Sequence, residues 1–384
     1  MRVTERQQVD ALVTALRNLR TNIFDRTEQI ASGKRVNRPS DDPVAAERIN
    51  QFRNLLRTTE RRLSTVNEAV GRLNFSDSVL DQAGNTIQRA KELAIRMRSE
   101  TNTDVERRNA AQEVQQLLEG LAGIANTELN GRFIFAGSQT QTVPYIPGSV
   151  TGAANTGNTG GATIATVIGS PTDLQPDAYQ IQFTSGTNFD VVNLTTGQTV
   201  LAGQVYSNGT PFSFDGVDVT LSDSGTPPAA GDQFVVRVGY VYQGDEAAIE
   251  VEIGDGQTVA SNVAGNKVFS APPPLDVFQN LQDFHQALLT NDLAGIETAI
   301  GQLDQALPQV TNARASIGAR VNRLDTIKDS LDLLSVNTQE LRSTVEDADF
   351  AKVASELASL QLTLEASMLT LTRQFETSLL NFIR

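Results

Sequence analysis

The apolar positions of this 384-residue chain follow two periods. At both ends they recur every three or four residues, as on one face of a helix. In the middle they recur every second residue, as on one face of a strand. From Glu5 to Ile30 the residues Val9, Leu12, Leu16, Leu19, Ile23 and Ile30 form a heptad-like seam, broadened by Val13 and Phe24. From Glu346 to Arg384 neither Gly nor Pro interrupts the pattern. Its seam is Phe350, Val353, Leu357, Leu360, Leu364, Met368, Leu371, Phe375, Leu379 and Phe382, and a second row is Ala358, Leu362, Ala366, Leu369, Leu380 and Ile383. Two rows make a face wider than one partner helix covers. The stripe also continues to Phe382 and Ile383, where a terminus ordinarily frays and turns polar. The pattern predicts that other chains complete these helices, with Val9, Leu12, Leu16, Leu19, Ile23, Leu357, Leu360, Leu364, Met368, Leu371, Phe375 and Phe382 as the assembly interface.

The first helix, roughly 40 Å long, can be stable in water only through packing. Gly33 stops it in the place favoured for a left-handed cap, and Lys34 and Arg35 suit the negative helix end. Pro39 holds the chain out of helix, Asp42 can cap the next helix, and Pro43 fits its first turn. An Asp41-Asp42 pair could serve catalysis or a metal, but at a helix start it reads as a cap. The second helix, Pro43 to about Ser99, carries the stripe Ile49, Phe52, Leu56, Leu63, Val66, Val70, Leu73, Leu80, Ile87 and Ala94, with only Gly71 and Gly84 inside. Roughly 80 Å of helix makes a rod. Thr103-Asp104-Val105-Glu106 reads as a capping box opening a third helix through Leu117, Leu118, Leu121 and Ile124.

The pattern changes at Asn130-Gly131. Arg132 to Gly137 is a short strand-like run, and from there to about Asn266 the chain is rich in Gly, Thr, Ser, Asn, Asp and Val. Tyr179-Ile181-Phe183, Phe212-Phe214 and Val217-Val219-Leu221 alternate, with Asp215-Gly216 as a hairpin turn between the last two. Gln233 to Val238 is a further strand. Gly148 to Gly169 has neither the Gly-Lys-Ser/Thr of a phosphate loop nor a helix after it, so a loop or linker is expected. After Pro272-Pro273-Pro274 helix resumes with Val277, Leu281, Phe284 and Leu288, beside which His285 reads as a surface or helix-end residue. Asn291-Asp292 can cap the next segment, which Pro308 would kink or restart. A long stripe follows: Ile317, Val321, Leu324, Ile327, Leu331, Leu334 and Leu341.

These segments predict an α+β protein: an elongated helical hairpin rod with terminal coiled-coil helices and an inserted β-rich domain. The expected divisions are an N-terminal coiled-coil helix (1–40), the first half of the rod (41–137), the β-rich insert (138–270), the second half of the rod (271–345) and a C-terminal coiled-coil helix (346–384).

Composition narrows the function. With 45 Asp and Glu against 31 Lys and Arg, the net charge is -14, a poor match for nucleic acid. The absence of Cys excludes disulfides, thiolate metal sites and cysteine nucleophiles, and a single His excludes the usual zinc ligand sets. No catalytic, cofactor or metal-binding residues are assigned, and no cofactor is expected. No apolar run is long enough for a membrane span, and no cleaved signal peptide is expected at the N-terminus. The sequons at Asn193 and Asn208 are too short a pattern to assign. The tyrosines Tyr179, Tyr206, Tyr240 and Tyr242 are too scattered for a sugar-binding cluster.

Three stretches resemble the flagellin superfamily, and within it the hook–filament junction members. Ala31 to Ile49, containing Ser-Gly-Lys-Arg-Val-Asn-Arg-Pro-Ser-Asp-Asp-Pro, is similar to the junction form of the superfamily's Ser-Gly…Asp-Asp segment. Filament flagellins usually carry Leu where Lys34 stands and lack Pro43. Asn130 to Gly137 is similar to the signature that enters the variable domain, and Asp347-Ala348-Asp349-Phe350 with the helix after it resembles the C-terminal region. Phe214 to Leu221 and Pro228 to Phe234 look like a motif of hook-associated β domains. The resemblance implies a structural, secreted subunit of the bacterial flagellum, leaving the cell by type III export. It implies terminal helices that order on assembly and stack as coiled coils. The implied partners are other copies of itself, hook-associated protein 1, flagellin and an export chaperone on the C-terminal helix. A filament flagellin is the alternative, and an adhesive role for the β domain a more distant one.

Overall fold

A computed structural model describes residues 2–254, 256–272 and 275–383; the side chains of residues 2–6, 8, 9 and 374–383 lie outside the description. Three helices come first, α1 (Arg2–Ser32), α2 (Pro43–Met97) and α3 (Asp104–Ala125). The strands are β1 (Glu128–Leu129), β2 (Arg132–Phe133), β3 (Tyr145–Ala154), β4 (Thr163–Ile168), β5 (Ala178–Phe183), β6 (Asn188–Asn193), β7 (Thr199–Val205), β8 (Pro211–Phe214), β9 (Val217–Ser222), β10 (Gln233–Tyr242), β11 (Glu250–Gly254) and β12 (Gln257–Ala260). Helices α4 (Val277–Leu289), α5 (Leu293–Glu346) and α6 (Phe350–Ile383) follow. The fold is thus α+β, with long terminal helices and an inserted β-rich region. The chain divides into two compact units, Met1–Ser64 with Ile327–Arg384, and Thr65–Thr326.

In the 65–326 unit, α2 buries a row at heptad spacing: Val66, Leu73, Leu80, Ile87 and Ala94. The row between them, Ala69, Ser76, Ala83 and Ala90, is also buried, and its small side chains gave no hydrophobic signal in the sequence. α5 answers with Ile296, Leu303, Val310, Ile317 and Leu324. Arg314 Nε binds Asp77 Oδ1 at 2.9 Å, Lys91 pairs with Asp304, and Arg98 pairs with Glu297 at 3.2 Å. Numbers rise on α2 as they fall on α5, so the two run antiparallel here. Pro308 does not start a new helix, since α5 is continuous through it. Packing of Ala306 and Val310 on either side outweighs one missing N–H. The capping box is present: Thr103 Oγ1 accepts from Glu106 N, and Glu106 Oε2 accepts from Thr103 N at 2.7 Å.

The β-rich region contains a five-stranded sheet in the order β3-β10-β5-β6-β7 and a three-stranded sheet in the order β4-β9-β8, all antiparallel where paired. Their inner faces share one core: Tyr179, Ile181, Phe183, Phe189, Phe234 and Val236 from the first, Phe214, Val217, Val219 and Leu221 from the second. Asp215 and Gly216, at φ 43° and 81°, make the tight turn between β8 and β9 that the sequence predicts. Residues 148–169 are not a loop. They hold most of β3 and all of β4. A Cβ on Gly152 would lie 2.8 Å from Thr166 Cγ2 and 3.0 Å from Ile164 Cγ1, so glycine lets the two strands close on each other.

A second aromatic cluster joins α4 to this region. Tyr145 lies 4.8 Å from Phe278 between ring centres, Tyr240 lies 5.1 Å from Phe278, and Phe135 meets Phe269 edge-on at 5.3 Å. His285 is not a surface residue. It lies buried in α4 beside the paired Arg237 and Asp283, and burial, with the nearby guanidinium second, lowers its pKa to about 4. Helical spacing put it next to the apolar stripe, and the β10 side of α4 is covered as well.

Candidate assembly interface

The unit formed by residues 1–64 and 327–384 contains the predicted seam. α1 and α6 pack against each other, and Arg26 Nε on α1 binds Glu356 Oε2 on α6 at 3.0 Å. Leu12, Leu16, Leu19 and Ile23 on α1 are half-buried, as are Leu357, Leu360, Leu364 and Leu371 on α6. Met368 is exposed. The side chains of Val9, Phe375 and Phe382 lie outside the described residues. On the second row of α6, Leu362 is 69% exposed and Leu369 63% exposed. One partner helix therefore covers part of the apolar face and leaves a second stripe in water.

Both helices begin or end in a connection fixed by hydrogen bonds. Gly33, at φ 71°, ends α1, and its amide donates to Gln29 O at 2.9 Å. Asp42 Oδ1 accepts from Ala45 N at 3.0 Å and caps α2. Asp41 Oδ2 accepts from the amides of Asn37 and Arg38 at 3.0 and 2.8 Å. The pair is structural, as its place predicts, and these backbone donors hold both carboxyls below their usual range. Asp349 Oδ1 accepts from Lys352 N at 3.1 Å at the start of α6.

The two connections lie side by side. Lys34 and Asp347 form an antiparallel bridge, Arg35 N donates to Glu346 O at 2.7 Å, and Ala348 N donates to Gly33 O at 2.9 Å. Glu346 is the centre of this arrangement. Its side chain is 4% exposed, and its carboxylate takes Lys34 Nζ at 2.6 Å, Arg53 at 2.7 Å and Arg342 at 3.4 Å. Burial acts to raise its pKa, but the hydrogen bonds from Lys34 and Arg53 outweigh it and hold the carboxyl below its usual range. Lys34 and Arg35 thus serve this connection rather than the end of α1. Arg35 reaches Asp42 at 3.1 Å and Val345 O at 2.9 Å. Sequence reasoning missed Glu346 and Arg53. The available signal was an acidic break, Glu346, Asp347 and Asp349, with a basic pair more than three hundred positions earlier, and it does not single out Glu346.

No helix among the described residues is long and apolar enough to cross a membrane, and no group of three or more His, Cys, Asp or Glu among them could hold a metal ion. Of the sequons in the β-rich region, the one at Asn193 is buried and donates to Asp177 Oδ2 at 2.8 Å, which leaves its amide no room for a glycan.

Family models match three parts of the chain. The bacterial flagellin N-terminal helical region covers residues 7–140, and the bacterial flagellin C-terminal helical region covers residues 300–383, together more than half of the chain. The D2-like domain of flagellar hook-associated protein 1 matches residues 153–238. Polar flagellin C of Vibrio parahaemolyticus is 24% identical over 412 residues, covering all of both chains. Flagellar hook-associated protein 3 of Escherichia coli is 37% identical over 124 residues, covering 31% of this chain and 38% of that one. A flagellar hook-associated protein structure from Vibrio parahaemolyticus shares the fold, with a TM-score of 0.53 at 14% identity, over 80% of this chain and all of that one.

Proposed function

We propose that this chain, which belongs to the flagellin superfamily, is a structural subunit of the bacterial flagellum that joins the hook to the filament. It does so by coiled-coil stacking of α1 and α6 with neighbouring subunits. The observation that carries the reading is the half-covered face of α6. Leu357, Leu360, Leu364 and Leu371 lean on α1, while Leu362, Met368 and Leu369 stay open. Burying one such leucine on assembly would contribute about 1.5–3 kcal/mol, and many copies along a tube sum to a stable lattice.

The partners this reading implies are further copies of the chain, hook-associated protein 1 on the hook side and flagellin on the filament side. An export chaperone would cover α6 before assembly, and the working place is the extracellular flagellum. The match of residues 153–238 to a hook-associated domain supports the junction role. A filament flagellin is the second reading, favoured by the full-length alignment to a polar flagellin.

Two experiments test this. Leu364→Asp with Leu371→Asp should leave the β-rich region folded by circular dichroism and abolish incorporation into flagella; normal incorporation would exclude the seam as the contact. The amount of the chain in sheared flagella separates the two readings. A trace at the filament base is expected of a junction protein, and an amount comparable to the main filament protein would make it a flagellin.

A further inference from the structure

Two stripes in the unit of residues 1–64 and 327–384 are independent of the α1–α6 seam. On α2, Val44, Arg48 and Leu55 are spaced by four and seven, so they share one helix face. On α5, Asp329, Asp332, Leu333, Val336 and Glu340 share another. The four apolar residues, Val44, Leu55, Leu333 and Val336, are 40–63% exposed. Each stripe spans twelve residues from its first member to its last, roughly 16 Å of helix. The two match in length, both present aliphatic side chains, and they carry opposite charge.

The charges are also unused. Lys34, Arg35, Arg38 and Arg53 of this unit all sit in ion pairs. Arg48, Asp329, Asp332 and Glu340 form none among the described residues. Three acids and two aliphatic residues on one face suit a basic, aliphatic ligand surface. The α2 stripe of another copy supplies one, with Glu47 as its acidic flank.

We propose that the α5 stripe of one copy docks on the α2 stripe of a second copy, as a lateral contact in the assembly. This deepens the proposed function and rests on it for the setting, but not for the contact. Because the two surfaces differ, the contact is heterologous, and repetition gives a ring or a helical array rather than a closed dimer. Opposite charges fix the partner and register, while the aliphatic residues supply the area.

Charge reversal within the full chain tests it. Arg48→Glu alone, and Asp329→Lys with Asp332→Lys and Glu340→Lys, should each lower incorporation into flagella at least tenfold. Combining all four should restore it, because every copy then carries both reversed surfaces. Equal incorporation by the separate variants, or no recovery on combination, would overturn the contact. A cross-link gives a second readout, since the chain has no cysteine of its own. Leu55→Cys with Val336→Cys should yield a ladder of oligomers on oxidation of sheared flagella, and neither single variant should. A Val336→Cys dimer would mean that α5 meets α5, against the proposal. If the chain is absent from flagella but the purified full chain still gives the ladder, the junction role fails and the contact stands. If it is present without a ladder, the contact fails and the junction role stands.

Discussion

In residues 65–326, Leu73, Leu80, Ile87, Phe234, Phe278 and Leu281 are at most 2% exposed, whereas in residues 327–384 Leu333, Val336, Leu362 and Leu369 leave more than half their surface in water. Both regions carry apolar residues at regular spacing. They differ in what the spacing meets. In the first region each stripe finds a second stripe, a sheet face or an aromatic cluster in the same chain. In the second, α6 has two apolar rows: the first is half-buried beside α1, with Phe350 and Met368 left exposed, and Leu362 and Leu369 of the second stay open. A periodic pattern therefore predicts that a face will be covered, without saying by which chain. The share of aliphatic surface left over is the clearest mark of which unit expects company.

The comparison breaks most sharply in the core of the 65–326 unit. Leu281→Ala, at a fully buried position, should cost about 3–4 kcal/mol of unfolding free energy in urea, by lost transfer and a cavity. His285 gives a pH signature to the same unit. Its folded pKa lies at about 4, below the ordinary value of 6.5, so the neutral form is favoured in the fold. Its contribution is fully present above about pH 6.5. It is lost as pH falls toward 4, because the unfolded chain takes the proton first. His285→Gln should flatten the slope of stability against pH between those limits, a difference of about 2–3 kcal/mol at pH 4. A slope unchanged by the substitution would assign it to other groups.

In the other unit the largest effect short of assembly should come from Glu346→Gln. Removing the charge that Lys34, Arg53 and Arg342 share should loosen the α5–α6 connection by about 1–2 kcal/mol, read as faster amide exchange near Ala348. Because the carboxyl's pKa is lowered, that stability is present above its ordinary value of 4.5 and is lost as pH falls through the lower folded value. Thr103→Ala should cost about 1 kcal/mol by removing a capping box. The smallest effect on the free chain is expected at Leu362, where Ala should change its unfolding free energy by less than about 0.5 kcal/mol. The same substitution should nonetheless weaken incorporation into flagella.

Much of this was legible in the sequence because it is local. The α1 and α6 seams, the Thr103 box, the Gly33 stop, the Asp42 cap and the Asp215-Gly216 turn each depend on residues within a turn or two of one another. What was illegible is set by distance or by the partner surface. Gly148 to Gly169 resembled a loop because its glycines serve a close approach of β3 to β4, a reason invisible until the strands meet. His285 looked peripheral because nothing in α4 announces that β10 covers it. Lys34 was assigned to the nearest helix end, and its true partner lies at Glu346. In α2 the alanine row was overlooked because small residues leave no hydrophobic signal, although they let two helices approach. For α6, sequence alone supplied the two rows, and the structure added which row stays open.

Amide hydrogen exchange tests the central claim most directly, comparing α1 and α6 in the free full-length chain and in sheared flagella. If neighbouring copies complete the open face, amides from Leu357 to Leu371 should exchange rapidly in the free chain and become strongly protected on assembly, while β5, β6 and β10 should be protected equally in both. Equal protection of α6 in the two states would mean that α1 alone satisfies it, and the account of an interface waiting for its partners would be wrong.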